Sequence, residues 1–473
     1  MDKSQGRIKY LAKNTAIFAL GNLATKVISF FLVPLYTGIL TTSEYGIVDL
    51  INTTVIIVVP LLIVNISEAI MRFSLDKDAD YNKIMSVGLL WSVLSIPLGM
   101  LLVPILELYS DLKPYEWLVY LYTVSLALNQ VFFSYLRGKE QLLEFSIGNI
   151  VQTLLIASFS IVFLCILKMR IDGYLEAYIL ANLITCIYAF VVGDIKETIL
   201  RFSIDKSLAL QMIRYSIVLV PNTFMWWIIN SSDRIMVTAM VGTAANGIYA
   251  ISYKVPSMIQ IFSNIFNQAW TYSAIKENES RDRADYCNKV YAAVTAIAMI
   301  SGVGILTVIK PFLRYYVTED YFAAWEYTPF LVIGYVFVTM GAFLATSYTV
   351  NKDSKGFLFS GCSGAITNIL LNYILIPIMG VGGAALATGI SYIAVFFYRV
   401  LDTRKYMKID VFGRRNIIAT IVLFIAALTL YINSAFGQGL LIIEAIFEIM
   451  LFYDVWKPMI RVILNKVKAK ICK

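Results

Sequence analysis

Apolar residues run through this chain in blocks of about twenty, parted by short polar segments, from one end to the other. The blocks fall near 14–38, 46–70, 84–106, 117–136, 146–167, 174–193, 215–241, 247–273, 289–309, 327–349, 357–378, 384–401, 416–433 and 438–456. Each is long enough to cross a ~30 Å hydrocarbon layer as a helix. No intervening stretch is long enough for a separate soluble domain. The pattern predicts an all-α polytopic membrane protein of about fourteen transmembrane helices. The opening "MDKSQGRIKYLAKNTAIFALGN" is basic and then apolar. It has no small-x-small cleavage site and leads straight into a full span, so a retained first helix is expected rather than a secretory signal.

The polar segments alternate in charge. One set includes "RFSLDKDADYNK", "DIKETILRFSIDK", "RKYMKIDVFGRR" and the tail "RVILNKVKAKICK", and 31 of the 39 lysines and arginines lie in or beside it. The other set, with "TTSEYG", "YSDLKPYEW", "KMRIDG" and "KPFLRYYVTED", holds five. The positive-inside rule puts the basic set and both termini in the cytoplasm. The net charge of +8 is then a topology signal and needs no nucleic-acid partner.

Composition agrees: 59% of residues are hydrophobic and 15% charged, against about 25% charged in soluble domains. There is no histidine, and the five cysteines show no CxxC spacing. Free thiols, no metal site and no cofactor are expected.

The two halves of the chain echo each other. "GILTTSEYGIVDLI" and "MVGTAANGIYAIS" align at a shift of 201, pairing Thr42 with Thr243 and Gly46 with Gly247. "IDGYLEAYILAN" and "VGGAALATGISY" align at a shift of 210, pairing Gly173 with Gly383 and Ala177 with Ala387. A duplicated six-helix design follows. It has an N-terminal half (1–193), a cytoplasmic linker (194–214), a C-terminal half (215–408), and helices 13–14 with a basic tail (409–473). Halves of equal orientation around a central cavity suit a transporter that binds near the midplane and rocks between two access states.

Three cations remain inside apolar blocks: Lys26, Arg234 and Lys254. Lys26 lies thirteen residues past Lys13, about 20 Å along a helix, too deep for a simple snorkelling anchor. Asn22, Lys26 and Ser29 share one face of the first block. In the eighth block Lys254, Ser257, Asn264 and Gln268 do the same. Asp233, Asn368 and Asn372 add polar groups in blocks 7 and 11. Amides facing lipid would cost several kcal/mol each, so these stripes predict a hydrated, cation-bearing cavity. Pro34 and Pro256, close to the two lysines, are hinge candidates, and Asp233 is the candidate for ion coupling.

Bland readings stand beside these. Lys26 has an alternative as a buried pair with Asp49, Lys254 as a snorkelling anchor and Arg234 as a structural cation. Glu68 and Arg72 read as an i,i+4 rim pair, and Trp91, Trp117, Trp270 and Trp456 as interfacial anchors.

"PLYTGILTTSEYGIVDL", "PNTFMWWIINSSDRIMVTAMVGTAANGIYAISYKV" and "NILLNYILIPIMGVGGAALATG" together resemble polysaccharide flippases, the O-antigen and capsule repeat-unit translocases of the multidrug/oligosaccharidyl-lipid/polysaccharide exporter superfamily. The resemblance covers nearly the whole chain. It implies a non-enzymatic carrier in the bacterial plasma membrane, moving undecaprenyl-diphosphate-linked oligosaccharides to the outer leaflet by alternating access. It also implies that Lys26, Arg234 and Lys254 engage the lipid-linked anion. A monomer working beside a polysaccharide polymerase and a chain-length regulator is expected on the same ground. Lysine at two of these positions favours point-charge contacts over a bidentate phosphate grip.

Two rivals remain. A cation-coupled multidrug exporter of the same superfamily would need cavity carboxylates, and Asp233 is the one well-buried acid in these blocks. A membrane polymerase or glycosyltransferase would need a large outer catalytic loop, and the longest outer segment, near 310–326, is short.

Overall fold

Helices form wherever the apolar blocks fall. The computed structural model describes residues 21–457 apart from 22, 77, 277–281 and 352, and among these residues the regular structure is helical throughout. The chain forms two units, Met1–Trp227 and Ile228–Lys473, with the division inside one long helix. Eight of the described helices are long and apolar enough to cross a membrane, and the protein is a multi-pass membrane protein.

The first unit holds α1 (Leu23–Ile39), α2 (Thr42–Leu62), α3 (Ile66–Ser74), α4 (Tyr81–Gly99), α5 (Leu102–Leu106), α6 (Glu116–Gly138), α7 (Leu142–Ser160), α8 (Arg170–Val192) and α9 (Ile195–Leu200). α10 (Lys206–Met240) runs on into the second unit. Thr41 starts α2 through a reciprocal cap with Glu44, satisfying two of the helix's orphan amides. Glu44 also accepts a two-pronged bond from Arg170, which ties the start of α2 to that of α8. The second apolar block is broken at Ile63–Asn65, three residues past Pro60. Val64 and Asn65 both take φ of 51° there, a region that β-branched residues rarely occupy. Ser216 donates to the Asn65 carbonyl at 3.3 Å, and the Asn65 amide donates to Thr223 at 3.0 Å, so side chains of α10 hold the break. The 194–214 stretch carries α9, whose Ile195 and Thr198 are buried where it packs on α4 and α8.

The second unit continues with α11 (Thr243–Ser252), α12 (Ser257–Lys276), α13 (Arg283–Tyr316), α14 (Thr328–Val350), α15 (Ser354–Met379), α16 (Val381–Asp402), α17 (Arg414–Thr429) and α18 (Ala435–Leu451). The eighth block is broken at Tyr253–Pro256, where Pro256 has no amide proton to continue the ladder.

The first shift seen in the sequence is also a spacing of helix starts: α2 begins at Thr42 and α11 at Thr243, 201 residues apart, while α8 and α16 begin at Arg170 and Val381, one residue more than the shift of 210. The paired glycines serve the same end. A Cβ on Gly383 would lie 2.3 Å from the Leu375 carbonyl, and one on Gly173 would lie 2.9 Å from Cβ of both Phe163 and Met169. In each unit the sixth apolar block therefore closes against the end of the fifth only because a glycine stands there. Burial repeats as well. α6 and α14 are 61% and 78% buried over their apolar cores, whereas α7 and α15 are 22% and 28% buried and face outward.

Three expectations change here. Arg72 pairs with Asp76 at 2.6 Å and not with Glu68, because the chain turning out of α3 brings Asp76 to the exposed Arg72. Trp270 is a packing residue, 4% exposed and stacked on Phe343 at 4.6 Å, not an interfacial anchor. Asp49 is buried while Lys26 is exposed, so the two do not form the buried pair that was the alternative for Lys26.

Candidate functional site

The densest polar network of the second unit surrounds Asp233. α10 delivers Asp233; Gly242, at φ 125°, then turns the chain into α11, which brings Tyr249 and Tyr253 alongside. α16 contributes Thr388, and α15 contributes Asn368 and Asn372 one turn apart. Asp233 is fully buried. Its Oδ2 accepts from the hydroxyls of Tyr249 (2.6 Å), Tyr253 (2.5 Å) and Thr388 (3.0 Å), and its Oδ1 accepts from the Arg234 amide at 2.9 Å. Burying a charge costs several kcal/mol unless such donors surround it.

The network extends beyond the carboxylate. Asn368 donates to Thr388 at 3.2 Å, and its carbonyl accepts from Asn372 at 2.9 Å and from Ser232 at 3.2 Å. Oδ1 of Asn372 is buried without a hydrogen-bond donor. The Arg234 guanidinium lies over the Tyr253 ring at 5.1 Å, and Tyr335 and Tyr392 continue the aromatic wall. A carboxylate, hydroxyls and amide carbonyls make an all-oxygen set, which suits a proton or a hard cation and not a thiophilic metal. Among the described residues no three His, Cys, Asp or Glu side chains converge on a metal position.

Among the described residues, the first unit holds a second network, built of amides and hydroxyls. Asn52 donates to the Tyr174 hydroxyl and accepts from Tyr122, each at 3.0 Å. Tyr36 and Ser160 share a bond of 3.1 Å, and Tyr174 stacks on Tyr178 at 4.6 Å. Gln152 donates to Asn182 at 2.6 Å, and Asn182 donates to Ser125 at 3.1 Å. Beside the break in the second block a cavity of about 540 Å³ is lined by Asn65, Glu68, Asn129, Gln130, Arg137 and Asn149, among others. Its amides, acid and base suit a hydroxyl-rich ligand.

The residues singled out in the sequence fall as follows. Asp233, Asn368 and Asn372 come together, with Arg234 beside them. Lys26 and Ser29 are exposed on α1; the Ser29 hydroxyl donates to the Thr25 carbonyl at 2.8 Å. Lys254 is half-buried within the break, and Ser257 donates to its carbonyl at 2.9 Å. Asn264 is exposed and accepts from Gln260 on its own helix. Pro256 is buried at the break, while Pro34 lies inside an unbroken α1. Asn22 and the Gln268 side chain lie outside the described residues. Tyr249, Tyr253 and Thr388 were missed, yet a signal existed: at the shift of 210, Thr388 falls on Tyr178 and Tyr392 on Asn182, polar in both copies.

Residues 11–276, more than half of the chain, match a family model described as "Polysaccharide biosynthesis protein". The chain belongs to the polysaccharide biosynthesis protein family. Solved structures of membrane transporters share its fold. The lipid II flippase MurJ, in an inward closed conformation, aligns with a TM-score of 0.68 at 16% identity, over 94% of this chain and 100% of that one. A multidrug resistance MATE family transporter of the MOP superfamily, facing outward, aligns at 0.55 with 16% identity over 83% and 94%. A Vibrio cholerae MATE transporter, in a mutant form, aligns at 0.55 with 12% identity over 84% and 96%. At such identities the likeness is one of fold. No curated protein sequence matches the chain.

Proposed function

We propose that this protein is a flippase that carries undecaprenyl-diphosphate-linked polysaccharide repeat units from the cytoplasmic to the outer leaflet of a bacterial plasma membrane. The observation that carries the reading is the family match over residues 11–276, set on a flippase-type transporter fold. In this reading Lys26, Arg234 and Lys254 line the substrate path and neutralise the diphosphate, with Asn22, Ser29, Ser257, Asn264, Gln268, Asn368 and Asn372 as its polar lining. The amide-lined cavity of the first unit offers partners for sugar hydroxyls, and the lipid tail stays in the bilayer. Both termini are cytoplasmic, and the carrier acts as a monomer alongside a polymerase and a chain-length regulator.

Two sources of free energy suit the task. Moving two negative charges out of an inside-negative cell gains at most ~4.6 kcal/mol per 100 mV, at ~2.3 kcal/mol per charge. The Asp233 network supplies a coupling site: an ion engaging that carboxylate would rearrange α10, α11, α15 and α16 together, because each donates a bond to it or to its neighbours.

The test is made in cells lacking the gene, where cytoplasm-facing diphosphate-linked oligosaccharide is quantified. Accumulation that wild type reverses supports the reading. No accumulation, in a strain without a second flippase, would return the protein to the drug exporters.

A further inference from the structure

α18 carries two acids one turn apart, Glu444 and Glu448, and no other titratable side chain. Glu448 is 0% exposed, and neither of its carboxyl oxygens has a hydrogen-bond partner. Glu444 is half-buried; its Oε1 accepts from the Thr429 hydroxyl at 2.9 Å, and its Oε2 has no partner.

α18 packs against α13 and α17. Residues 292–309 of α13 and 416–429 of α17 contain no Asp, Glu, Lys, Arg, Tyr or Cys. The titratable groups on those helices lie toward their ends. Lys310 on α13 is occupied: its ammonium donates to Leu430 and, at 2.6 Å, to Asn433, and lies over the Trp325 ring at 3.7 Å. At the opposite end, Lys289 pairs with Asp285 at 2.6 Å and Tyr291 is buried. On α17, Arg414 is exposed, and the Arg415 guanidinium lies over Phe452, one turn beyond Glu448, at 5.3 Å from the ring centre.

Glu448 is therefore the inverse of Asp233. Asp233 is buried among four donors, which stabilise a charged carboxylate. Glu448 is buried among none, where an ionised carboxylate would be extremely costly. Its nearest helical neighbour of like chemistry, Glu444, adds a second negative charge when ionised, and acids at i,i+4 repel. Both circumstances favour a neutral carboxylic acid at 448; Glu444 differs from it in being half-buried and in having one hydroxyl donor.

We propose that Glu448 is a proton-binding site, separate from the Asp233 network, and that it holds a proton in this conformation. Loading requires only that the carboxylate take a proton from water when α18 parts from α13 or α17, and release returns it the same way. The inference does not depend on which substrate is carried.

The test is infrared spectroscopy of the full-length protein in liposomes at neutral pH, as the difference between wild type and Glu448→Gln. The expected result is loss of a carbonyl stretch of a protonated carboxylic acid, with no loss of carboxylate absorbance. Glu444→Gln should leave that band in place. Loss of a carboxylate band in Glu448→Gln would overturn the proposal. Should that variant fail to fold, Glu448→Asp serves: a shifted acid band supports the site, and a shifted carboxylate band overturns it.

Discussion

Thr388 donates its hydroxyl to the Asp233 carboxylate at 3.0 Å across 155 residues of sequence. With Tyr249 and Tyr253 it gives the Oδ2 atom of a fully buried acid three hydroxyl donors. Removing one such donor from a buried charge costs roughly 1–3 kcal/mol. Thr388→Val should accordingly lower the melting temperature of the purified protein. Tyr253→Phe should lower it as well and also disturb the ring beneath Arg234.

If Asp233 is the coupling acid, Asp233→Asn should retain the fold, because the hydroxyls can turn to bond an amide. Transport should then stop responding to an imposed proton or sodium gradient. Flux in proteoliposomes, measured with each gradient separately, checks this. A gradient response equal to that of wild type would remove Asp233 from the coupling role.

Lys26 is exposed on α1, so its replacement removes charge without leaving a hole. Lys26→Ala should leave thermal stability unchanged and lower transport roughly ten- to a hundred-fold, since a charge-assisted contact is worth ~1.5–3 kcal/mol. Lys26→Arg should restore most of that loss. A large drop in stability with Lys26→Ala would instead mark a structural cation.

Gly383 and Gly361 make a matched pair. A Cβ at 383 would meet the Leu375 carbonyl at 2.3 Å, while one at 361 meets nothing within 4 Å. Gly383→Val should destabilise by about 1–3 kcal/mol through overpacking. Gly361→Ala should be neutral or gain roughly 0.5–1 kcal/mol from reduced chain entropy. Melting temperatures of the two variants in one detergent decide the matter.

Asp353, in the turn before α15, gives a pH signature. The Tyr406 hydroxyl donates to its Oδ2 at 2.6 Å, the Gly356 amide donates to its Oδ1 at 2.9 Å, and Lys405 lies 3.0 Å away. These contacts, the Tyr406 bond first, hold the acid down from 3.8 to about 2. Because the folded value is depressed, the stabilisation is fully present above the ordinary carboxylate range. It is lost as pH falls from about 4 toward 2. Acid titration of stability should show this window in wild type and lack it in Asp353→Asn.

The apolar blocks were legible because a membrane demands length and hydrophobicity that no other use of helix requires. The pairing of Gly173 with Gly383 was legible, and at both positions an added Cβ would clash. The breaks were only half legible. Pro60, Pro221 and Pro256 stand at or a few residues before interruptions, the second before a bend of 48° between Met225 and Trp227, whereas Pro34 lies inside an unbroken helix. A proline permits a kink, and packing decides whether one forms. The Asp233 network was largely hidden, since its donors come from 16, 20 and 155 residues away and tyrosine at helical spacing reads as core. Trp270 misled for a related reason: nearness to the end of a block says nothing about whether Phe343 will cover it.

The most direct test of the flippase account is made with purified protein in liposomes carrying an undecaprenyl-diphosphate-linked saccharide in one leaflet. Its appearance in the other leaflet is followed with a membrane-impermeant saccharide probe, with and without an imposed potential. The account predicts transfer well above that of protein-free liposomes, faster when the potential drives negative charge in the direction of export. Transfer no faster than in empty liposomes, with efflux of a cationic drug from the same vesicles, would contradict it.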